Sequence, residues 1–144
     1  MVRVASSRGG VVQVEIKGIN RVVNHLRMKN IAVTTQAEIG LVQAGNFVQQ
    51  EVQESIIGNR AEPKSVDTGR LGNSIVAEPT GKGLEGMKIF PERSNYPGTS
   101  QNTQDVAKAL EFGTSRIRAR KHFFNTKSRT KDKVVRILKG KIKV

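Results

Sequence analysis

Residues 63–75 read Pro-Lys-Ser-Val-Asp-Thr-Gly-Arg-Leu-Gly-Asn-Ser-Ile and stand between a long helical pattern and a region of short strands. Pro63 cannot continue a helix, because it lacks an N–H and its ring clashes with the preceding turn. Asp67 can cap a short helical turn, and Gly69 permits backbone angles that are closed to other residues. An apolar run typical of a strand begins at Ile75. This stretch therefore predicts a hinge between a helical and a strand-forming part of the chain.

Upstream of the hinge the sequence predicts one long helix, capped by Thr34 or Thr35 and running to about Ile57. A glutamine-rich side is expected to face solvent, and Gly40 and Gly45 weaken the helix by roughly 1 kcal/mol each relative to Ala. These glycines are interpreted either as sites of close backbone approach or as tolerated surface residues. Apolar residues three or four positions apart predict one buried stripe: Ala37, Leu41, Ala44, Val48, Val52 and Ile56.

Shorter elements are predicted around this helix. Strands are expected at residues 11–16, 74–78 and 87–91, and helices at residues 19–29, 104–112 and 122–139. Residues 92–103, rich in Ser, Asn, Thr and Gln around Pro97-Gly98, predict a mobile loop. The last helix is expected to bury a weak apolar face that consists of Phe124, Thr130, Val134, Val135 and Leu138.

The 144 residues are expected to form a single domain, with a flexible arm at residues 1–10, a core at 11–139 and a basic tail at 140–144. The pattern predicts an α+β fold: a small antiparallel sheet packed against one long helix, with a C-terminal helix and mobile loops. Hydrophobic residues make up 36% of the chain and aromatic residues 4%. Such a thin core is compatible with stability supplied in part by subunit contacts.

The formal net charge of +13 is concentrated at the C-terminal end. From Arg116 onward twelve basic residues face one acidic residue, Asp132, so this segment carries a net +11. This distribution favours one surface that faces a polyanion. A solvated basic tail, or pairing with an acidic neighbouring subunit, is the alternative. The candidate contacts to DNA or to a partner are Arg116, Arg118, Arg120, Lys121, Lys127 and Arg129.

The sequence offers no pattern typical of catalysis, and neither a cofactor nor a metal is expected. There is no Cys, and His25 and His122 lie in separate elements without metal-ligand spacing; His122 is interpreted as part of the basic surface. The G-x-G-x-x-G at residues 81–86 precedes a strand-like run rather than a helix, which favours a hairpin loop over a dinucleotide site. No nucleophile with a partner base, no signal peptide and no membrane-spanning run is found.

Two segments together resemble the motifs of the head–tail joining, tail-completion or neck-type-one proteins of tailed bacteriophages. The first comprises Pro63, Asp67, Thr68, Gly69, Arg70, Leu71 and Ser74; the second comprises Glu111, Phe112, Gly113 and Thr114. A basic stretch and Phe123-Phe124 follow the second motif, and the order of elements over residues 11–139 is similar to that of the family. The chain departs from the family pattern at Val106-Ala107, where Tyr-Ala is frequent, and at Lys121-His122, where Pro is frequent.

The resemblance implies a structural virion protein rather than an enzyme. Proteins of this family form a homo-oligomeric ring, here expected to be a hexamer, between the head connector and the tail tube or its terminator. Double-stranded DNA passes through the lumen without specific contacts. The resemblance thus implies a location at the head–tail junction of the virion, after synthesis in the host cytoplasm, and no membrane association. The alternatives are a tail terminator that caps the tube and a free-standing, sequence-independent nucleic-acid-binding protein.

Overall fold

The computed structural model describes residues 3–6, 11–18, 31–65, 69–81 and 86–141. The predicted helix at residues 19–29, with His25, and the motif residues Asp67 and Thr68 lie outside this part of the chain. The described elements are, in order, β1 (Arg3–Ser6), β2 (Val14–Lys17), α1 (Ile31–Ile56), α2 (Arg70–Ser74), β3 (Ile75–Thr80), β4 (Gly86–Pro91), α3 (Thr103–Phe112) and α4 (His122–Lys141). The predicted α+β class is confirmed.

The four strands form one antiparallel sheet in the order β1-β2-β4-β3. Strands β3 and β4 pair from Ile75 opposite Pro91 to Thr80 opposite Gly86, which confirms a hairpin at the G-x-G-x-x-G sequence. A side chain at Gly86 would overlap the carbonyl oxygen of Ile16, so the close approach of β2 to β4 requires glycine there.

Helix α1 lies against the sheet and α4 and supplies the centre of the core. All six residues of its predicted apolar stripe are completely buried, which confirms the helical periodicity. From Leu41 to Ile56 the stripe belongs to one cluster with Val14, Ile16 and Ile89 of the sheet and with Phe123 and Val134 of α4. Each aliphatic side chain buried in this way contributes about 1.5–3 kcal/mol.

Several features of α1 differ from the prediction. The helix already includes Ile31, so Thr34 and Thr35 lie inside it and do not cap it. Gly40 and Gly45 are both buried, which excludes the surface interpretation. A Cβ at Gly45 would lie 2.8 Å from Cε of Met87. Glycine at this position therefore leaves space for the Met87 side chain of β4 and not for the backbone of another element.

The amide-rich side of α1 is also less solvated than expected. Gln49 donates a hydrogen bond to the carbonyl of Ile75 at 2.8 Å, and Gln53 donates one to the carbonyl of Gly72 at 3.2 Å. These bonds satisfy backbone acceptors of α2 and β3 and tie the hinge to the long helix. Gly58, with φ of 90°, follows the last turn of α1 in the positive-φ conformation in which glycine commonly ends a helix.

Residues 92–103 form a loop, as expected, with a bridge between Asn95 and Asn102 and a bond from Thr103 Oγ1 to the carbonyl of Glu92 at 2.5 Å. The mobility of this loop stays a prediction. Two further expectations require correction. Arg3–Ser6 lies within the expected flexible arm, yet it pairs with β2 as an edge strand, because main-chain hydrogen bonding needs no sequence pattern. Phe124 is 47% exposed, and its neighbour Phe123 is the residue that α4 buries.

Candidate functional site

A cleft of about 570 Å³ opens between the segment after α1 and the segment before α4. We call it the basic cleft, because four of the six predicted contact cations line it: Arg116, Arg118, Arg120 and Lys121. The other described residues of its lining are Ala61, Glu62, Pro63, Ile117, Ala119 and Asn125. Lys127 and Arg129 lie on α4 beyond the lining residues. The structure therefore brings most of the predicted contacts together at one place.

The second motif forms the turn that leads into the basic cleft. Glu111 is 5% exposed, and its carboxylate accepts the backbone N–H of Phe123 at 3.0 Å and that of Phe124 at 2.7 Å. Two otherwise unpaired donors at the start of α4 are thereby satisfied. Burial raises the pKa of Glu111, although these two backbone bonds oppose the rise. The next motif residue, Phe112, is 53% exposed.

Gly113 and Thr114 give this turn its shape. Gly113 has φ of 77°, and a Cβ there would lie 2.9 Å from both the carbonyl oxygen of Ile117 and the nitrogen of Ala119. Thr114 Oγ1 accepts the backbone N–H of Arg116 at 3.2 Å and that of Ile117 at 3.1 Å. The motif residues thus control the backbone that presents Arg116 to the cleft.

The first motif lies beside the second, because α2 packs against α3. Gly69 has φ of 80° at the N-terminal end of α2, and Leu71 is 5% exposed. Ser74 Oγ donates to the carbonyl of Leu71 at 2.6 Å. Arg70 donates to Ser94 Oγ at 2.9 Å. Each of these described motif residues has a role in holding the turn or its neighbour.

Arg120 joins the two walls of the basic cleft. Its Nη1 donates to the carbonyl of Lys64 at 2.6 Å and to Ser65 Oγ at 2.8 Å. Its backbone N–H donates to the carbonyl of Leu110 at 2.7 Å. This predicted contact residue therefore fixes the segment after α1 against the segment before α4.

His122 was expected on the basic surface, and this expectation is wrong: the residue is 2% exposed and held by two serines. Ser55 Oγ donates to Glu62 at 2.6 Å and lies 2.7 Å from His122 Nδ1, so Nδ1 carries the proton. Nε2, 2.6 Å from Ser65 Oγ, then accepts from that hydroxyl. Burial lowers the pKa of His122 to about 4, a shift that Glu62 partly opposes, so the ring is neutral at pH 7.

The hydrogen-bonded series from Ser65 through His122 and Ser55 to Glu62 has the order of a nucleophile, a base and an orienting acid. No such partnership was expected from the sequence. A base with a pKa of about 4 accepts protons weakly at neutral pH, and Ser65 Oγ also accepts the Arg120 guanidinium. Neither Ser65 nor His122 is among the residues that line the basic cleft. The arrangement therefore suits fastening α1 to α4 better than covalent catalysis.

Glu62 lies at the base of the cleft, 5% exposed, and Arg129 neutralises it. Its carboxylate is 2.7 Å from Arg129 Nη2 and accepts Nη1 at 2.8 Å and Asn125 Nδ2 at 3.2 Å. Burial raises the pKa of Glu62, but the bonds from Arg129, Ser55 and Asn125 outweigh that effect and leave the pKa below its usual value. Arg129 is thus engaged in the fold.

The other cations remain at the surface. Arg116 and Arg118 are exposed, and within the described residues neither side chain forms a hydrogen bond or ion pair. Lys121 and Lys127 place their ammonium groups 5.8 and 4.4 Å from the ring centroid of Phe124. The six predicted contacts therefore divide into two structural arginines and four surface cations.

Other kinds of site are not found in the described part of the chain. No group of three or more His, Asp or Glu side chains there could hold a metal ion. None of the helices found there combines the length and apolar character needed to cross a bilayer. Ser55, Glu62 and Ser65 were missed by sequence reasoning, because no spacing rule relates residues that meet only through folding.

Comparison of the chain with protein-family models, with curated proteins and with solved structures found no match.

Proposed function

We propose that this chain is a structural virion protein of a tailed bacteriophage, forming a ring in the neck that joins the head connector to the tail tube and lets DNA pass. One observation carries the proposal: the described residues of the two motifs lie on packed neighbouring elements and hold main-chain geometry. Gly69 and Gly113 adopt positive φ, and Glu111 caps α4. Main-chain roles of this kind fit a protein that works through the shape of its subunit.

The distribution of charge also supports a role beside a polyanion. Arg116, Arg118, Lys121 and Lys127 lie at the surface on one part of the molecule, and the adjacent Glu62 is neutralised by Arg129. A ring lumen that conducts DNA benefits from positive charge without base-specific contacts, because specific contacts would hold the DNA in place.

Subunit contacts would supply the stability that a thin core lacks. Apolar side chains are exposed outside the lining of the basic cleft, with Ile39 and Val42 of α1 47% and 39% exposed. In a ring, here a hexamer, such residues would contact a neighbouring copy, the connector or the tail tube. Phage particles are the proposed location of the chain.

The test is the position of the chain in a virus. Particles made from a phage genome that encodes this protein should contain a closed ring of it at the head–tail junction. Deleting the gene should leave DNA-filled heads without attached tails, and supplying the protein in trans should restore joining. Complete, tailed particles without the protein would refute the proposal. Density only at the tube end before joining would instead identify a tail terminator.

A second candidate is a free-standing nucleic-acid-binding protein, which the exposed Arg116 and Arg118 favour. It predicts that the isolated chain binds DNA tightly at physiological salt, with a steep loss of affinity as salt rises. The neck proposal requires only weak contacts, because a ring gathers many copies around one duplex. Tight binding by the monomer, together with absence from virus particles, would favour this second candidate.

A further inference from the structure

We propose that the basic cleft binds the phosphodiester backbone of nucleic acid through Arg116, Arg118 and Lys121 and reads no base sequence. This inference rests on the proposed function, in which DNA passes close to the chain, and it assigns the contact surface. It also separates the predicted cations that contact the ligand from those whose side chains hold the two sides of the cleft together.

The division follows from what each side chain already contacts. Arg120 donates to Lys64 and Ser65, and Arg129 pairs with Glu62. A phosphate could recruit these two arginines only at the cost of buried or partly buried partners left unpaired. Arg116 and Arg118 carry no comparable internal bond within the described residues, so their guanidinium groups can meet phosphate oxygens in bidentate geometry.

The charge around the cleft favours an anion. Among the described residues, Glu62 is the only carboxylate in the lining, and three hydrogen-bonding side chains, including Arg129, already surround it. Glu111 lies nearby in the turn, but it is buried and turned to the backbone of α4. The field in the opening is therefore set by Arg116, Arg118 and Lys121.

The contacts of Phe124 indicate that the bases of the ligand do not stack on its ring. Lys127 lies 4.4 Å and Lys121 5.8 Å from the centroid of its ring, at the distances of cation–π contacts. The ring therefore supports ammonium groups, and a base could stack on it only by displacing them. This arrangement favours contact with phosphates over the aromatic platforms of single-strand-binding proteins.

A phosphate backbone also fits the lining better than an acidic peptide does. Among the described residues, the apolar lining of the basic cleft consists of Ile117, two alanines and Pro63. Protein interfaces usually gain their affinity from large side chains buried in apolar pockets, and these described residues do not form such a pocket. A chain of repeated charges without side-chain anchors is the ligand that such a surface suits.

The experiment uses the full chain and fluorescein-labelled 30-base-pair duplexes of two unrelated sequences, with binding followed by anisotropy over a series of salt concentrations. Two double variants remove equal charge: Arg116→Gln with Arg118→Gln in the cleft, and Lys131→Gln with Lys139→Gln on exposed positions of α4 outside the lining. Thermal melting verifies that both variants fold. Unlabelled poly-glutamate serves as a competitor that carries repeated charge without phosphate.

The expected result is equal affinity for the two duplexes and a loss of about tenfold or more in the cleft variant, with a salt slope lower by about 2. The α4 variant should lose much less. Equal losses in the two variants, a clear preference for one duplex, absence of binding by the unaltered chain even at the lowest salt concentration, or equally effective competition by poly-glutamate would each overturn the inference. A neck ring in particles made with the cleft variant would leave the proposed function intact, whereas cleft binding by a chain that is absent from particles would refute the proposed function alone.

Discussion

Glu111 and Phe124 meet across the turn between α3 and α4, where Oε1 of the carboxylate accepts the backbone N–H of Phe124 at 2.7 Å. The same carboxylate accepts the N–H of Phe123, so one side chain satisfies two donors at the start of α4. A negative charge at this end also interacts favourably with the helix dipole. Because α4 supplies Phe123 and Val134 to the core, this cap links the second motif to the packing of the domain.

Replacing Glu111 with Ala should lower the free energy of unfolding by about 1–3 kcal/mol, because two N–H groups lose their acceptor in a buried turn. Glu111→Gln should cost less, since its carbonyl oxygen still accepts one bond. Urea unfolding followed by circular dichroism measures both effects. Glu92→Ala, at an exposed position, is the control and should change stability little. Equal effects at positions 111 and 92 would contradict the capping role.

His122 should make stability fall with acid between pH 6.5 and about 4. Burial lowers its pKa to about 4, whereas in the unfolded chain it titrates near 6.5. Within this window unfolding takes up a proton that the folded protein does not bind, so stability decreases by about 1.4 kcal/mol per pH unit as pH falls. Above pH 6.5 this dependence vanishes, because the imidazole is neutral in both states.

Measuring His122→Gln against the unaltered chain isolates this effect. The variant should be less stable at pH 7.5, because its amide cannot reproduce both serine contacts, but its stability should depend less on pH between 6.5 and 4.5. The pKa values of Glu51 and Glu62 are lowered, so the stability that they contribute is lost mainly as the pH falls below 4.5. The pKa of Glu111 is raised, so its protonation increases stability as the pH falls. His25→Gln controls for loss of a histidine, and an unchanged slope in His122→Gln would disprove the assignment.

Gly113→Ala should destabilise the fold through both backbone conformation and overlap. At φ of 77° and ψ of 169°, Gly113 has a backbone conformation that costs a residue with a Cβ about 1–3 kcal/mol. Its Cβ would also lie 2.9 Å from the backbone of Ile117 and Ala119. Gly98→Ala, with φ of 74° and open space around the Cβ, measures the first effect alone. Gly140, in the last turn of α4, has no positive φ and no atom close to its Cβ position, so Gly140→Ala should be neutral or slightly stabilising. A loss at Gly113 no larger than at Gly98 would rule out the overlap.

Two ion pairs of equal length should differ in how much they contribute to the free energy of unfolding. Arg129–Glu62 and Arg60–Glu51 are both 2.7 Å long with arginines 32% exposed, but the side chain of Glu62 is 2% exposed and that of Glu51 16%. Arg129→Gln should cost at least about 2 kcal/mol, because it leaves a buried carboxylate without its charge partner. Arg60→Gln should cost clearly less, because its partner Glu51 is partly solvated and the pair lies at the surface. Chemical denaturation of the two variants compares them, and a reversed order would contradict this explanation.

Periodicity was sufficient to predict the long helix and its buried stripe, because burial of one helix face imposes a repeat on the sequence. The β3–β4 hairpin was predictable from two strand-like runs on either side of a Gly-rich loop. Periodicity failed at Phe123 and Phe124, where adjacent aromatics are equally apolar and only the start of α4 at the Glu111 cap decides which one turns inward. The edge strand β1 was missed for a related reason: an edge strand gains main-chain hydrogen bonds whatever its side chains are.

The accumulation of positive charge after Arg116 was also visible in the sequence, but the separate roles of those cations were not. Arg120 and Arg129 appear in the same run as Arg116 and Arg118, with nothing in their spacing to distinguish them. Their partners, Lys64, Ser65 and Glu62, lie more than fifty positions away along the chain. Only the contacts in the folded protein distinguish the cations that hold the cleft together from those that are available to a ligand.

By itself the sequence determined the class of the fold, the helix that centres the core, the glycines that turn the backbone and the end of the molecule that carries the charge. These properties depend on residue type and on neighbours a few positions away. Tertiary structure alone decided that His122 is buried between Ser55 and Ser65, that Glu62 is neutralised, and that four cations line one cleft. The physical reason is that pKa, burial and pairing depend on distances between residues remote in sequence, and only folding sets those distances.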